Sequence, residues 1–182
     1  MADADERRSF IAVSIAVLTV SDTRTEADDK SGGVLIERLT GAGHCLAARA
    51  IVADEQTAII AQVRVWIADP AIDVVLAAGG TGVTGRDVTP EAFHALYDKE
   101  IPGFGELFRA LSFAKIGAST IQSRATAGVA GGTYLFALPG SPGACRDAWD
   151  GILSTQLDYR HLPCNFVELM PRLNEHGPRA SR

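Results

Sequence analysis

Apolar runs alternate along the chain with segments whose apolar residues recur at helical spacing. Continuous apolar runs are typical of strands that are buried on both faces of a sheet. We predict four such strands and a short fifth strand at the sheet edge: 14–20, 45–52, 73–79, the run in "GGTYLFALPG", and "STIQSR". Helices are predicted between them, the first capped by Ser31 and the others over 56–68, 90–99, 104–114 and 142–158.

This alternation of helices with fully buried strands predicts a three-layer α/β fold, in which an open, mostly parallel sheet carries helices on both faces. We predict one domain over 10–172, a flexible N-terminus over 1–9 and a disordered tail over 173–182. Ligands bind such sheets beyond the carboxyl ends of the strands. The candidate binding loops therefore begin at Ser21, Ala53, Gly79 and Pro139.

Composition and charge exclude several classes of protein. Apolar residues form 47% of the 182-residue chain, which is too many for a disordered protein and enough for the core of one domain. The net charge of -5 makes the surface a poor partner for DNA or RNA, so we predict no binding of nucleic acid. Three cysteines without a C-x-x-C pair argue against a disulfide framework and a zinc site.

The N-terminal segment "RRSFIAVSIAVLTV" is similar to a twin-arginine export signal, because two arginines precede an apolar run. However, acidic residues precede the arginines and no A-x-A cleavage site follows. The apolar run is also too short to cross a bilayer. We therefore predict a cytoplasmic protein that does not associate with a membrane.

The segment "AAGGTGVTGRDVTPEAF" contains the spacing G-x-G-x-x-G, at Gly80, Gly82 and Gly85. A Rossmann dinucleotide site needs this motif to open a helix directly, with an acidic residue about 20 positions later at a strand end. Here residues 86–88 precede the helix, and Asp98 and Glu100 fit a helical pattern rather than a strand. An NAD-dependent oxidoreductase is therefore only a distant alternative.

An anion-binding loop explains the segment better. Successive glycine N–H groups can converge on a phosphate because no Cβ obstructs them. Thr89 is predicted to cap the next helix, with Pro90 at its first position. The loop in "LPGSPGACRDAW" has the same build, with Ser141 as the cap and Pro142 following it. Two helix N-termini at one sheet edge would hold the two ends of a polyphosphate; the alternative is that each loop is a capped turn without a ligand.

Carboxylates also lie in these loops. Asp87 follows Arg86 in the glycine-rich segment, and Asp54 comes directly after the second strand in "IVADEQ". Proteins usually hold Mg²⁺ with one or two carboxylates while substrate phosphates complete the shell. The alternative for Asp54 is a simple helix cap, and Asp22 in "TVSDTR" has the same two interpretations.

The chain resembles the MoaB/MogA group of molybdenum cofactor biosynthesis proteins over nearly its whole length. The resemblance is carried by "VLTVSDTR", "IVADE", "GGTGVTGRDVTPEAF", "IPGFGELFR", "IQSRATAG", "LPGSPGACR" and "PCNFVELMPRL", the last being more similar to the MoaB branch. It implies a three-layer α/β fold, a trimer or hexamer, and binding of a pterin phosphate. In the adenylyltransferases of this group, molybdopterin reacts with ATP and Mg²⁺ to give adenylylated molybdopterin and pyrophosphate.

The resemblance also implies which residues act. Two aspartates carry the activity in this group, one in V-x-D-E and one in R-D-V-T-P, and here they are Asp54 and Asp87. We predict that both also hold Mg²⁺. The residues predicted to bind substrate or phosphate are Ser21, Asp22, Gly79, Gly80, Thr81, Gly82, Arg86, Ser123, Gly140 and Ser141. Since some MoaB proteins have no established catalytic role, the alternative is a protein that binds molybdopterin or its precursor without catalysis.

The tail "LPCNFVELMPRL" is more apolar than a free terminus usually is. Its large apolar residues are Leu162, Phe166, Val167, Leu169 and Met170. They must pack on their own domain or on a neighbouring subunit, and the resemblance favours the neighbour. We therefore predict self-association.

Overall fold

A six-stranded sheet forms the centre of the protein in a computed structural model that describes residues 4–175. Its strands are β1 (Ser14–Val20), β2 (Cys45–Val52), β3 (Val74–Ala78), β4 (Lys99–Glu100), β5 (Thr126–Ala130) and β6 (Thr133–Leu138). They lie in the order β2-β1-β3-β6-β5-β4, and β2, β1, β3 and β6 are parallel. β5 is antiparallel to both of its neighbours. The prediction of an open, mostly parallel sheet is confirmed.

Within residues 4–175, seven α-helices connect and cover the strands. They are α1 (Lys30–Gly41), α2 (Gln56–Ile67), α3 (Thr89–His94), α4 (Pro102–Ile116), α5 (Pro142–Ala148), α6 (Ser154–Gln156) and α7 (Phe166–Leu169). A π-helix over Trp149–Leu153 joins α5 to α6, so the long final helix is present with one widened turn. Turns of 3₁₀ helix follow α4, over Gly117–Gln122, and α7, over Met170–Arg172.

Separate helix layers bury the two faces of β1, β3 and β6, because side chains alternate along each strand. The prediction of a fully buried strand is wrong for β2, whose residues are exposed or half-buried because it lies at the edge of the sheet. On β1, Ile15 and Val17 belong to one core together with α1, α4 and α5. Ala16 and Leu18 belong to a second core with α2 and α3. All residues of β3 are buried as well. The predicted three-layer α/β architecture is therefore correct.

The sequence prediction is wrong at the edge of the sheet. Instead of a strand, most of "STIQSR" forms the 3₁₀ turn that follows α4. The strand there is β5, whose sequence TAGVA is short and rich in small residues and so gives a weak strand signal. A tight turn through Gly131 and Gly132 pairs it with β6. Glu100, which fits a helical pattern in the sequence, lies in the edge strand β4.

The first helix also begins differently from the prediction. Its N-cap is Asp29, whose Oδ1 accepts a hydrogen bond from Gly32 N at 2.9 Å. Ser31 lies inside the helix, and its hydroxyl donates to the Gly140 carbonyl at 2.7 Å. Asp29 acts as the cap because it directly precedes the helix and its side chain reaches the Gly32 amide in the first turn. Ser31 instead ties α1 to the loop after β6.

Phe166, Val167 and Met170 of the apolar tail pack on their own domain, whereas Leu169 is exposed. The Phe166 ring lies 4.8 Å from the Tyr134 ring, and Val167 is buried. These contacts weaken the argument from the tail for self-association, which stays a prediction. Near the N-terminus, Arg8 stands over the Tyr159 ring at 5.0 Å. Most of the tail that we predict to be disordered lies outside the described residues, as do residues 1–3.

No helix within residues 4–175 is long and apolar enough to cross a membrane.

Candidate functional site

Four loops meet at one edge of the sheet because the strands that precede them are parallel. They follow β1, β2, β3 and β6, as the sequence predicts. We name residues 79–88, after β3, the glycine loop, and residues 139–141, after β6, the serine loop. The two loops are in contact, since a Cβ on Gly140 would stand 3.0 Å from the Gly79 Cα.

The glycine loop leaves β3 through Gly79 and Gly80, which have positive φ angles of 114° and 62°. Residues with side chains rarely adopt such angles, and a Cβ on Gly79 would also collide with the Val20 carbonyl oxygen. Thr89 Oγ1 donates to the Gly79 carbonyl at 2.8 Å, and Thr89 N donates to the Gly80 carbonyl at 3.0 Å. The N-cap of α3 is therefore Val88 and not Thr89. The buried hydroxyl of Thr89 instead holds the base of the glycine loop.

A cavity of ≈ 420 Å³ lies between the glycine loop, the serine loop and α4. Seven of the predicted site residues line it: Gly80, Thr81, Gly82, Asp87, Ser123, Gly140 and Ser141. The rest of its wall comes from residues that we do not predict from the sequence: Phe108, Ser112, Ile116, Ser119, Thr120, Gln122, Pro139 and Ala144. An aromatic ring surrounded by hydroxyl and amide groups suits a flat heterocycle with polar edges.

Hydrogen-bond donors enter this cavity wall from both loops. Within residues 4–175, the amide groups of Gly80 and Thr81 donate to no protein acceptor. Ser141 is the N-cap of α5, as predicted, and its Oγ accepts from Ala144 N at 3.2 Å. A serine hydroxyl that accepts one bond still has its own hydrogen to donate. The two loops can therefore bind an anion from two sides.

Asp87 is held inside the glycine loop. Its Oδ2 accepts from Thr84 N at 2.8 Å and from Thr84 Oγ1 at 2.6 Å. Burial by itself would raise the pKa of Asp87, but hydrogen bonds from Thr84 and from the Gly82 amide hold that pKa below its usual value. Asp87 is therefore ionised at neutral pH. The loop uses some of its own donors to hold this carboxylate, a contact that the sequence does not reveal.

Asp54 approaches the glycine loop at Gly80, where a Cβ would stand 3.1 Å from Asp54 Oδ1. Asp54 and Asp22 exchange hydrogen bonds: Asp22 N donates to Asp54 Oδ2 and Asp54 N donates to Asp22 Oδ1, both at 3.1 Å. Arg86 forms an ion pair with Asp22 at 2.6 Å. Asp54 does not cap α2, whose N-cap is Glu55. The exchange instead joins the loops that follow β1 and β2.

The two partners of this exchange have opposite pKa shifts. The hydrogen bond from Arg86 lowers the pKa of Asp22. Burial and then repulsion by Asp22 raise the pKa of Asp54, and the charge of Asp87 adds to this repulsion. The negative charge of Asp54 is thus poorly compensated by the protein, and a bound cation would compensate it.

Asp54 and Asp87 fit the donor set that Mg²⁺ prefers, which is one or two carboxylates with water and phosphate completing the shell. Asp54 has one oxygen that accepts from Asp22 N and a second that lies beside Gly80. Asp87 accepts both bonds from Thr84 at Oδ2, and within residues 4–175 its Oδ1 has no side-chain partner. Residues 4–175 contain no group of three or more His, Cys, Asp or Glu side chains that could hold a metal. The preference of Mg²⁺ for phosphate oxygens means that substrate phosphates would complete its shell here.

A smaller cavity of ≈ 160 Å³ borders the larger one and shares Gly140 with it. Its wall includes the predicted residues Ser21 and Gly79, and Arg24 and Lys30 add positive charge. The predicted residues Asp22, Asp54 and Arg86 line neither cavity. The structure thus divides the predicted residues between two neighbouring cavities and a cluster of charges beside them.

The sequence contains a signal for one of the wall residues that we do not predict. Phe104, Phe108 and Ser112 recur every four residues, so Ser112 is a polar residue on the apolar face of α4, and it is buried. Buried polar residues are uncommon and need a partner. Arg124 follows the predicted Ser123 and bonds to the glycine loop, but no pattern in the sequence distinguishes it from a surface arginine.

Comparisons with known proteins agree with this geometry. Residues 16–159 match the model of a family described as the probable molybdopterin binding domain. The chain is 54% identical over 157 residues to Molybdenum cofactor biosynthesis protein B of Escherichia coli (strain K12), which covers 86% of this chain and 92% of the relative. The protein of the same name from Bacillus subtilis (strain 168) is 49% identical over 146 residues, covering 80% and 86%. A crystal structure of Molybdenum cofactor biosynthesis protein B superposes with a TM-score of 0.83 at 41% identity, covering 91% of this chain and 98% of that one.

Proposed function

Since the chain belongs to the MoaB/MogA family of molybdenum cofactor biosynthesis proteins, we propose that it binds molybdopterin and adenylylates it with ATP and Mg²⁺. The observation that carries the proposal is the 420 Å³ cavity, where the amides of Gly80 and Thr81 lie near the ionised Asp87. The names of the relatives agree with the MoaB branch that the closing segment indicates.

The pterin ring system would occupy the larger cavity. Phe108 offers an apolar surface, while Ser112 and Gln122 offer partners for the polar edges of the ring. The terminal phosphate of molybdopterin would then bind at the amides of Gly80 and Thr81 and at the Ser141 hydroxyl. The apolar ring of Phe108 would thus contact the face of the pterin, and the polar groups of the wall would bind its edges and its phosphate.

The polyphosphate of ATP would extend from this point toward the smaller cavity. Gly140 lines both cavities and carries no side chain that would obstruct the passage. Arg24 and Lys30 supply the positive charge that phosphates require. Asp54 and Asp87 would hold Mg²⁺, which supplies charge neutralisation on the phosphates when bound.

Adenylyl transfer requires mainly that the two substrates are positioned and that the charge of their phosphates is neutralised. A phosphate oxygen of molybdopterin attacks the α-phosphorus of ATP, and the bond from that phosphorus to the pyrophosphate oxygen breaks. A phosphate monoester is already anionic near neutral pH, so no strong general base is required. The loops contribute by aligning the two phosphates and by stabilising the charge that spreads over the transferred group.

A second function is favoured by one contact. Asp87 bonds to Thr84 within its own loop, as an aspartate with a purely structural role would. In that case the protein binds molybdopterin or its precursor without transferring an adenylyl group.

Incubation of the purified protein with molybdopterin, ATP and Mg²⁺ tests the proposal directly. We expect adenylylated molybdopterin and pyrophosphate in molar excess over the protein, and no product when EDTA is added. Binding of molybdopterin without product would favour the second function. Uptake of NAD but not ATP in a calorimetric titration would contradict both and revive the oxidoreductase alternative.

We also propose assembly as a trimer or hexamer. Large apolar side chains of α4 and the 3₁₀ turn after it are exposed: Leu107, Phe113, Ile116 and Ile121. Exposed apolar residues that cluster on one element favour a protein interface. Light scattering at micromolar concentration checks this proposal, and a stable monomer would contradict it.

A further inference from the structure

Arg124 bonds to the glycine loop at three carbonyl groups. Its Nε donates to the Gly82 carbonyl at 2.6 Å, and its Nη2 donates to the Asp87 carbonyl at 2.7 Å. Its backbone N donates to the Thr81 carbonyl at 3.1 Å. The remaining guanidinium nitrogen, Nη1, forms an ion pair with Glu91 on α3. Within residues 4–175, no other residue from outside the glycine loop bonds to so many groups of this loop.

Arg124 makes these bonds from outside the molybdopterin cavity. It lines a separate cavity of ≈ 550 Å³ and is not part of the wall of the 420 Å³ cavity. Arg124 can therefore influence a ligand in the 420 Å³ cavity only indirectly, through the backbone of the glycine loop and through its positive charge, which helps to lower the pKa of Asp87.

The backbone bonds orient the groups that hold Asp87. In a trans peptide the N–H points away from the C=O. The Thr81 carbonyl points to the backbone N–H of Arg124, a bond that lysine would keep, so the N–H of Gly82 points the other way, toward the Asp87 carboxylate, whose pKa it lowers. The bonds to the carbonyls of Gly82 and Asp87 then fix both ends of the turn that contains Thr84.

The other contacts of the loop hold different parts of it. Thr89 bonds only to Gly79 and Gly80, at the base. The ion pair of Arg86 with Asp22 is exposed, and exposed ion pairs contribute little. Besides the bonds that the segment makes within itself, Arg124 is therefore the residue that restrains the segment that presents Asp87.

We propose that Arg124 is a positioning residue for adenylyl transfer, which sets the Asp87 carboxylate through the loop backbone without touching either substrate. The proposal rests on the function proposed above. A planar guanidinium can direct separate N–H groups at two carbonyls, whereas a lysine ammonium cannot reproduce that fork. The proposal therefore distinguishes arginine from lysine at this position.

The test is Arg124→Lys, with Arg109→Lys as the matched control. Arg109 lines the same 550 Å³ cavity but makes only a 3.5 Å contact with the Ala125 carbonyl. In Arg124→Lys we expect kcat to fall by on the order of 10- to 100-fold, the effect of a small misplacement of a reacting group. We expect amide hydrogen exchange over residues 82–87 to become faster as well. Arg109→Lys should change neither measurement.

A double-mutant cycle shows whether Arg124 acts through Asp87. In the Asp87→Asn background, Arg124→Lys should lower kcat little further, because the group that it positions is gone. An equal loss in both backgrounds would overturn the proposal, as would unchanged kcat and exchange in Arg124→Lys. If the wild-type protein forms no product, the proposed function fails, and the exchange rates alone then decide whether Arg124 positions the loop.

Discussion

The glycine loop and the serine loop have the same build in the sequence but are stabilised in different ways. Each leaves a buried parallel strand through glycine and enters a helix that has proline in its first turn. In the serine loop, Ser141 caps the helix with its own side chain. In the glycine loop, the N-cap Val88 makes no such bond, and Thr89, Asp87 and Arg124 hold the backbone instead.

The difference follows from length. The serine loop covers only 139–141, so a side chain in the loop reaches the helix amides that need an acceptor. The glycine loop covers 79–88, and more of its polar backbone groups must find partners elsewhere in the fold. The conformation of the short serine loop is thus set by residues next to it in the sequence, and that of the longer glycine loop by residues that the fold brings close to it.

The largest expected effect that tests this comparison comes from Asp87→Asn. Loss of the charge should lower adenylyl transfer by on the order of 10²-fold or more, the scale of removing a key electrostatic group. The fold and the assembly should be unchanged, since an asparagine oxygen can still accept both bonds from Thr84. Binding of molybdopterin without metal should persist or strengthen because one repulsive charge is gone. Product formation and melting temperature, measured on one preparation, check these expectations.

Thr84→Val is the control for that variant. It removes the hydroxyl bond to Asp87 but keeps the carboxylate charge. We expect a smaller loss of activity than in Asp87→Asn. If Asp87→Asn were fully active, Asp87 would have only a structural role in the glycine loop, and the binding function would become the better explanation.

Thr89→Val tests whether the Thr89 hydroxyl holds the base of the glycine loop, ten residues earlier in the chain. Valine has the same shape but leaves the buried Gly79 carbonyl without its donor. We expect the free energy of unfolding to fall by about 1–3 kcal/mol, the cost of an unsatisfied buried acceptor. Urea denaturation measures this change. Thr40→Val, which removes an exposed hydroxyl bond on α1, is the control, and an equal cost for both variants would argue against the role of Thr89.

Ser141→Ala makes the corresponding change in the serine loop. Removing the cap should lower the free energy of unfolding by about 1 kcal/mol, whereas Ser141→Gly should cost only a few tenths. If Ser141 acts as a cap, Ser141→Gly should be more stable than Ser141→Ala, because glycine lets water reach the amides that the serine side chain no longer binds. Thermal melts of the ligand-free protein give the order. An alanine variant as stable as the wild type would show that the cap contributes nothing.

Among the expected changes in stability, that of Asp54→Asn in the metal-free protein should be the smallest, and of opposite sign. Because burial and Asp22 raise the pKa of Asp54, folding favours the protonated form. That contribution is complete below the unfolded-state pKa of about 3.9 and is lost as the pH rises through the higher folded-state pKa.

Asparagine is neutral at every pH, so at pH 7 and without metal the variant should be more stable than the wild type. We expect a gain of at most about 1 kcal/mol, since water still reaches the carboxylate. The difference should shrink as the pH falls toward about 4. Urea denaturation at both pH values measures it; a variant less stable at pH 7 would mean that the exchange with Asp22 needs the charge.

The sequence predicts those parts of the candidate site that directly follow a long apolar strand. The runs that form β1, β2, β3 and β6 are long and apolar, and their direction brings the loops that follow to one edge. β5 was not predictable in this way, because its pairing with β6 and not its composition makes it a strand. Ser112 could be found only as a polar residue on an apolar helix face.

Hydrophobic pattern and local chemistry in the sequence are enough to specify β1, β3, β6, the helices between the strands and the Ser141 cap, because each depends on residues close together in the chain. The exchange between Asp22 and Asp54 and the bonds from Arg124 to the glycine loop join residues that lie far apart in it. Such contacts leave no periodic pattern. They exist only once the parallel strands have brought their ends together, and so tertiary structure alone decides how Asp87 is held.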